Sequence, residues 1–196
     1  MVEYLFPTPV YVETVGNLNK IQFEIGNAVE NCSFSGINEW GKTHQISDTW
    51  LDYQDKFEGC VIEKYNLTNF KDELDIHLKK YCSEIGIDLD KGYEIKSWFV
   101  KYERGSFAHV HSHNYADIAG VYYFNTNKKD GKIFFETPVP GAEFTKWCHN
   151  KLMYRWGHDP KKGKLLLFPG WLRHGVMTNE TDNIRIAMSF NIFLKT

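Results

Sequence analysis

The sequence predicts a mainly β fold with flanking helices, an antiparallel sandwich or jelly roll. After Gly92 the chain turns to short segments rich in aromatic and β-branched residues, cut by Gly, Asn and Asp turns. Most of these segments have no helical pattern between them, which argues against a parallel α/β sheet. The clearest amphipathic helix comes earlier in the chain and is placed to buttress the sheets from outside.

The elements follow in order. The start is extended through Tyr11, and Leu18, Ile21, Ile25 and Val29 then recur at helical spacing. A polar, Gly-containing stretch from Ser33 to Asp52 carries no clear period. Leu67, Phe70, Leu74, Leu78, Tyr81 and Ile85 keep one apolar face, and Gly86 stands where a helix end favours a left-handed residue, so the spacing predicts a helix over 67–85. Strands are predicted at Tyr93–Tyr102, Ile118–Asn125, Lys132–Glu136, Lys164–Phe168 and Ile184–Leu194. Residues 143–159 take no assignment. A length of 196 residues fits one domain, with helical support over 1–91 and the β core over 92–196.

Composition removes several classes. With 42% hydrophobic residues, 14 Phe, 11 Tyr and 6 Trp, the chain can bury a core, so disorder is excluded. A net charge of −2 offers no basic footprint for nucleic acid or an anionic membrane. No apolar run approaches the roughly 20 residues that span a bilayer, and the first ten residues have no basic export signal. Cys32, Cys60, Cys82 and Cys148 are too scattered for a disulfide framework and read as reduced thiols in the cytoplasm.

The chemistry concentrates late in the chain. His109, His111 and His113 alternate just before an apolar strand, where extended chain puts alternate side chains on one face and two imidazoles can take adjacent positions on one ion. His174 follows a buried strand and the Pro169-Gly170 turn, as a ligand arriving from a remote strand. In the last strand, Ile184, Ile186, Met188, Phe190, Ile192 and Leu194 form one face, and Arg185, Ala187, Ser189 and Asn191 the other. A guanidinium beside a hydroxyl is a receptor for a carboxylate, although an exposed edge strand with a surface ion pair would show the same pattern.

Taken together, the run from His111 to Phe124, the segment from Gly163 to His174, the segment Arg185 to Asn191 and the opening Phe6-Pro-Thr-Pro-Val10 resemble the 2-oxoglutarate/Fe(II) oxygenases of marine bacteria and cyanophages, relatives of the prolyl hydroxylases. The resemblance implies a double-stranded β-helix with Fe(II) at its open end and 2-oxoglutarate and O2 as co-substrates. It further implies His111 and His174 as metal ligands, Arg185 on the distal carboxylate of 2-oxoglutarate, Tyr123 as a co-substrate tyrosine and Ser189 as its helper. A peptide or protein substrate, led by a peptidyl proline, follows by the same analogy, and so does the host cytoplasm if the chain is phage-encoded. The wider family has a carboxylate two residues after its first histidine, whereas this chain has His113 there. The third ligand is then His113, with Asp117 as the competing carboxylate.

Two other readings remain open at this level. Gly105, His111, His113 and Asp117, followed by Gly163, Pro169 and His174, approximate the two cupin motifs, which would need no 2-oxoglutarate. Arg185 discriminates, having no obligatory role in a cupin. Alternatively the fold is a binding module with structural zinc, using Trp98, Trp147, Trp156 and Trp171 as a surface, although strand tryptophans are more often core. Trp40, Trp50, Tyr53 and Phe57 are placed either to line a substrate groove or to cover the barrel.

Overall fold

The computed structural model describes residues 7–36, 43–50, 59–113, 115–139 and 154–195, with positions 1, 141, 144 and 146 besides. Two antiparallel sheets face each other, and helices cover the outer face of the larger one. The larger sheet is built from β1 (Tyr11–Thr14), β2 (Phe34–Ser35), β3 (Gln45–Ser47), β4 (Tyr93–Tyr102), β6 (Ile118–Asn125), β9 (Lys164–Pro169) and β11 (Arg185–Leu194). Its spatial order is β1-β9-β6-β11-β4-β3-β2. The smaller sheet, in the order β5-β10-β7-β8, comprises β5 (Ala108–His111), β7 (Ile133–Glu136), β8 (Arg155–His158) and β10 (His174–Val176). This is the expected jelly roll, the double-stranded β-helix. The predicted strands recur within a residue at each end.

The large sheet is apolar on both faces because period-two alternation serves two cores. Ile118, Tyr122, Leu165, Leu167, Met188, Phe190 and Ile192 point outward and pack against α1 (Leu18–Glu30) and α3 (Thr68–Ile85). Ala119, Val121, Tyr123, Leu166, Phe168 and Ala187 point inward, toward Ile133 and Phe135 of the small sheet. A short helix, α2 (Val61–Lys64), precedes α3.

The two long helices cap each other. No local side chain caps α3, but Glu24 of α1 accepts the backbone amides of Asn69 at 3.1 Å and Phe70 at 2.5 Å. In return Glu73 of α3 accepts the amides of Gly16 at 2.9 Å and Asn17 at 3.3 Å, at the start of α1. Each carboxylate satisfies amides that a helix start leaves without intrahelical partners and complements its positive end. At the other end of α3, Gly86 takes φ 73° and closes the helix as expected.

The tryptophan expectations divide. Trp98 is buried, but Trp156 and Trp171 are 60% and 54% exposed, against the expectation that strand tryptophans are core. The reason for Trp156 is position, since β8 is the outermost strand of the small sheet and its residues 155–157 are exposed. Trp40, Tyr53, Phe57, Trp147 and most of 143–153 lie outside the described residues, whereas 155–158 form β8.

Gly120 sits mid-sheet, where a Cβ would come within 2.2 Å of the Phe190 ring and 2.9 Å of the Leu166 carbonyl oxygen. Gly120→Ala is therefore expected to destabilise by about 2–3 kcal/mol through overpacking. Urea unfolding of the two proteins measures it, and a loss under about 0.5 kcal/mol would contradict the tight approach of β6 and β11.

Candidate metal and co-substrate site

Between the sheets lies a cavity of about 230 Å³, whose lining includes His44, Trp98, Tyr102, His111, His113, Tyr123, His174, Arg185, Ser189 and Asn191. Strand register explains the assembly. On the inward face of β11, Arg185 pairs with Tyr102, Ala187 with Val100 and Ser189 with Trp98 on one side. On the other side Ala187 pairs with Tyr123, Ser189 with Val121 and Asn191 with Ala119. The polar face foreseen in the last strand is thus the floor of the cavity, and β11 lies at the centre of the sheet, not at its edge.

His111, His113 and His174 come together, their candidate ligand atoms all within 4.8 Å of one another. His111 and His174 face each other across β5 and β10, with ring centroids 4.4 Å apart. His113 lies 5.1 Å from His174, stacked on it at 22°. His109 does not join them and is exposed, contrary to simple alternation. A bulge is the cause. Between the pairs His174–His111 and Val176–Ala108, β10 spends one residue and β5 two, so the side-chain parity reverses before His111. His113 is anchored in turn by its amide to the Gly170 carbonyl at 2.8 Å. Gly170 permits that approach, since a Cβ there would stand 2.0 Å from the Ala116 carbonyl oxygen.

The tautomers follow from the acceptors. Nδ1 of His111 bonds the His109 carbonyl at 2.8 Å, and Nδ1 of His174 bonds the Leu172 carbonyl at 2.9 Å. Nδ1 of His113 lies 2.5 Å from Oδ1 of Asn191. A carbonyl oxygen only accepts, so each Nδ1 carries the proton and each neutral ring keeps its lone pair on Nε2. Burial, with His111 as a lesser cause, lowers the His113 pKa to about 4. Burial also holds His174 well below the usual imidazole value, with His113 and His111 adding to the effect. Three neutral imidazoles with fixed tautomers fit a divalent first-row metal such as iron. Asp117 stands apart, exposed, with its carboxylate accepting the Leu194 amide at 2.8 Å.

Deeper in the cavity, Arg185 is 1% exposed. Its Nη1 donates to the carbonyls of Asp130, at 3.2 Å, and Gly131. Its Cζ lies 4.0 Å above the centroid of the Tyr102 ring. Its Nε is buried without a hydrogen-bond partner among the described residues. A buried guanidinium so placed calls for an anion. Tyr123 and Ser189 line the same cavity, and burial raises the Tyr123 phenol. Sequence reasoning missed His44 and Tyr102, and took Asn191 only as part of a polar face. Asn191 was readable from its parity with Arg185. His44 gave no signal in its polar stretch, and burial lowers its pKa to about 4.

Three imidazoles and a buried cation facing one jelly-roll cavity form a candidate site for a metal ion with an anionic ligand. The chain matches, over residues 96–191, the family described as "Putative 2OG-Fe(II) oxygenase", whose cofactors are Fe(II) and 2-oxoglutarate. It is therefore an enzyme of the 2-oxoglutarate-dependent oxygenase class. No curated protein matches the chain in sequence. Solved structures share the fold at low identity. A Pseudomonas putida prolyl-4-hydroxylase aligns with TM-score 0.59 and 13% identity over 97% of this chain and 95% of its own. A Trichoplax adhaerens prolyl hydroxylase, in complex with a hypoxia inducible factor peptide fragment, aligns with TM-score 0.62 and 18% identity over 96% and 85%. HygX from Streptomyces hygroscopicus, with nickel, 2-oxoglutarate and hygromycin B bound, aligns with TM-score 0.60 and 12% identity over 96% and 84%.

The lowered histidines fix a sign. His44, His113 and His174 have folded-state pKa values below that of the unfolded chain, about 6.5, so unfolding takes up protons. The stability they contribute is fully present above about pH 6.5 and is lost as pH falls toward 4. For the metal-free protein, urea midpoints are expected to drop steeply between pH 7 and pH 5, and a flat profile over that window would show these rings to be solvated.

Proposed function

We propose that the chain is an Fe(II)/2-oxoglutarate-dependent hydroxylase in which His111, His113 and His174 hold the iron and Arg185 receives the distal carboxylate of 2-oxoglutarate. The observation that carries this is the pairing of the tautomer-fixed imidazoles with a buried guanidinium in one cavity. When bound, the iron with 2-oxoglutarate and O2 supplies hydroxylation of an unactivated C–H bond, 2-oxoglutarate leaving as succinate and CO2. The protein's part is placement. The carbonyls of His109 and Leu172 and the amide of Asn191 aim the Nε2 lone pairs. Arg185 orients the co-substrate by its carboxylate, assisted by Ser189 from the same strand face and Tyr123 from the adjacent strand. Trp98, stacked on His113 with centroids 6.0 Å apart, shields that side of the site from water.

Peptidyl proline is the substrate class we assign. It is supported by the two prolyl hydroxylases among the similar folds, one of them in complex with a peptide. We place the enzyme in the cytoplasm as a single domain, supported by the free thiols of Cys32, Cys60 and Cys82. Among the described residues no helix is long and apolar enough to cross a membrane.

Anaerobic titration of the metal-free protein with Fe(II) and then 2-oxoglutarate tests the site through the visible charge-transfer band of the chelated 2-oxo acid. Wild type is expected to show the band, and His174→Ala to lose it together with tight Fe(II) binding. Arg185→Ala is expected to keep Fe(II) binding and weaken 2-oxoglutarate by about 2–3 kcal/mol, the cost of a charge-assisted hydrogen bond. A change below about threefold in co-substrate affinity would remove Arg185 from the role. Asn191→Ala should weaken Fe(II) by roughly tenfold, because it frees the tautomer of His113.

A further inference from the structure

One rung of the large sheet crosses the co-substrate end of the cavity. The pairs Gln45–Lys101 and Ile46–Val100 set His44, just before β3, opposite Tyr102, and Arg185 is itself registered on Tyr102. Because β4 lies between β3 and β11, His44 and Arg185 flank Tyr102 from opposite sides. Side chains on one rung stand about 4.8 Å apart, the spacing of stacked rings. The His44 and Tyr102 rings are parallel to within 16° with centroids 5.1 Å apart, and the guanidinium carbon lies 4.0 Å over the far side of the phenol. All three are buried, at 7%, 5% and 1% exposure.

Each layer is also tied at its edge. Nδ1 of His44 bonds the Phe107 carbonyl at 3.1 Å and the Thr43 hydroxyl at 2.9 Å, which fixes the plane of the imidazole. Nη1 of Arg185 is tied to the carbonyls of residues 130 and 131, which are held by the Asp130 carboxylate. That carboxylate accepts Thr126 Oγ1 at 2.5 Å, the Asn127 amide at 2.9 Å and Asn183 Nδ2 at 2.6 Å. The carbonyls fix one corner of the guanidinium, and its rotation about that corner is left to the ring beneath it.

We propose that His44 and Tyr102 are positioning residues for Arg185: His44 backs the phenol, the phenol face sets the plane of the guanidinium, and the Nε edge is thereby left for the ligand carboxylate. This rests on the co-substrate reading of Arg185 and extends it into the segment before residue 96, outside the stretch that carries the family match. A neutral ring is the suitable backing, since a second cation behind Tyr102 would oppose the first.

The test compares His44→Leu, which fills the space without a flat face, with His44→Phe, which restores one. The first readout is the Arg185 Nε–H cross-peak of the 15N-labelled, metal-free protein, which stacking on Tyr102 shifts upfield. The second is the affinity of the anaerobic Fe(II)-loaded protein for 2-oxoglutarate. His44→Leu is expected to return the cross-peak toward its unstacked position and to weaken 2-oxoglutarate by roughly tenfold, the scale of a lost cation–π arrangement. His44→Phe is expected to stay within about twofold of wild type, with Fe(II) affinity unchanged in both variants. If His44→Leu does not fold, His44→Gln, which keeps a donor for the Phe107 carbonyl but no ring, takes its place with the same expectation. An unshifted cross-peak with wild-type affinity in the ring-less variant overturns the proposal. Failure of wild type itself to bind 2-oxoglutarate instead overturns the co-substrate reading, while the cross-peak still decides whether the stack holds Arg185.

Discussion

The structure depends on the strict period-two geometry of one strand, Arg185–Leu194, paired on both sides. Its outward residues Met188, Phe190 and Ile192 close the core beneath the helices, and its inward residues Arg185, Ala187, Ser189 and Asn191 make the floor of the cavity. A one-residue slip would turn a guanidinium into the helical core and a phenylalanine into the proposed metal site. The apolar face therefore pins the polar one, and the burial that stabilises the sheet also sets the coordinates of the chemistry.

Much of this was readable from the residues. The alternation in 184–194 separated floor from core, and the turn residues after Gly92 marked four strands of the large sheet and Ile133–Glu136 of the small one to within a residue, whereas Phe34–Ser35 and Gln45–Ser47 lay hidden in a polar stretch. The small sheet was harder, because Ala108–His111, Arg155–His158 and His174–Val176 are too short to display a period of their own. Their conformation comes from tertiary pairing. His109 shows the same limit. A bulge exists only relative to a partner strand, so a sequence that alternates perfectly cannot reveal that its parity is broken. His44 is the extreme case, since a single histidine in a polar stretch acquires its place only when three strands align.

The site combines two opposite electrostatic strategies in one cavity. Around the proposed metal position the protein supplies neutral donors, and burial together with mutual proximity disfavours protonation of His113 and His174. A few residues away it holds a cation with carbonyls and a π face, leaving room for a carboxylate from outside. With His113 where the wider family carries a carboxylate, the protein itself contributes no negative charge to the triad, and Asp117 is engaged at the Leu194 backbone. Among the described residues that line the cavity there is no carboxylate, so the proposed ligand is what would balance the charge.

The position of the Arg185–Leu194 strand bears on how the chain is made. Its partners Tyr93–Tyr102 and Ile118–Asn125 leave the ribosome first, and each must wait with an open hydrogen-bonding edge for the strand that joins them. Contacts separated by this much sequence close late and slowly. Until then the nascent sheet exists as two halves with unpaired edges, the features that expose a chain to wrong partners during synthesis. Helices α1 and α3, already able to clasp each other through Glu24 and Glu73, give the early part of the chain a local structure to hold while the centre of the sheet is still missing.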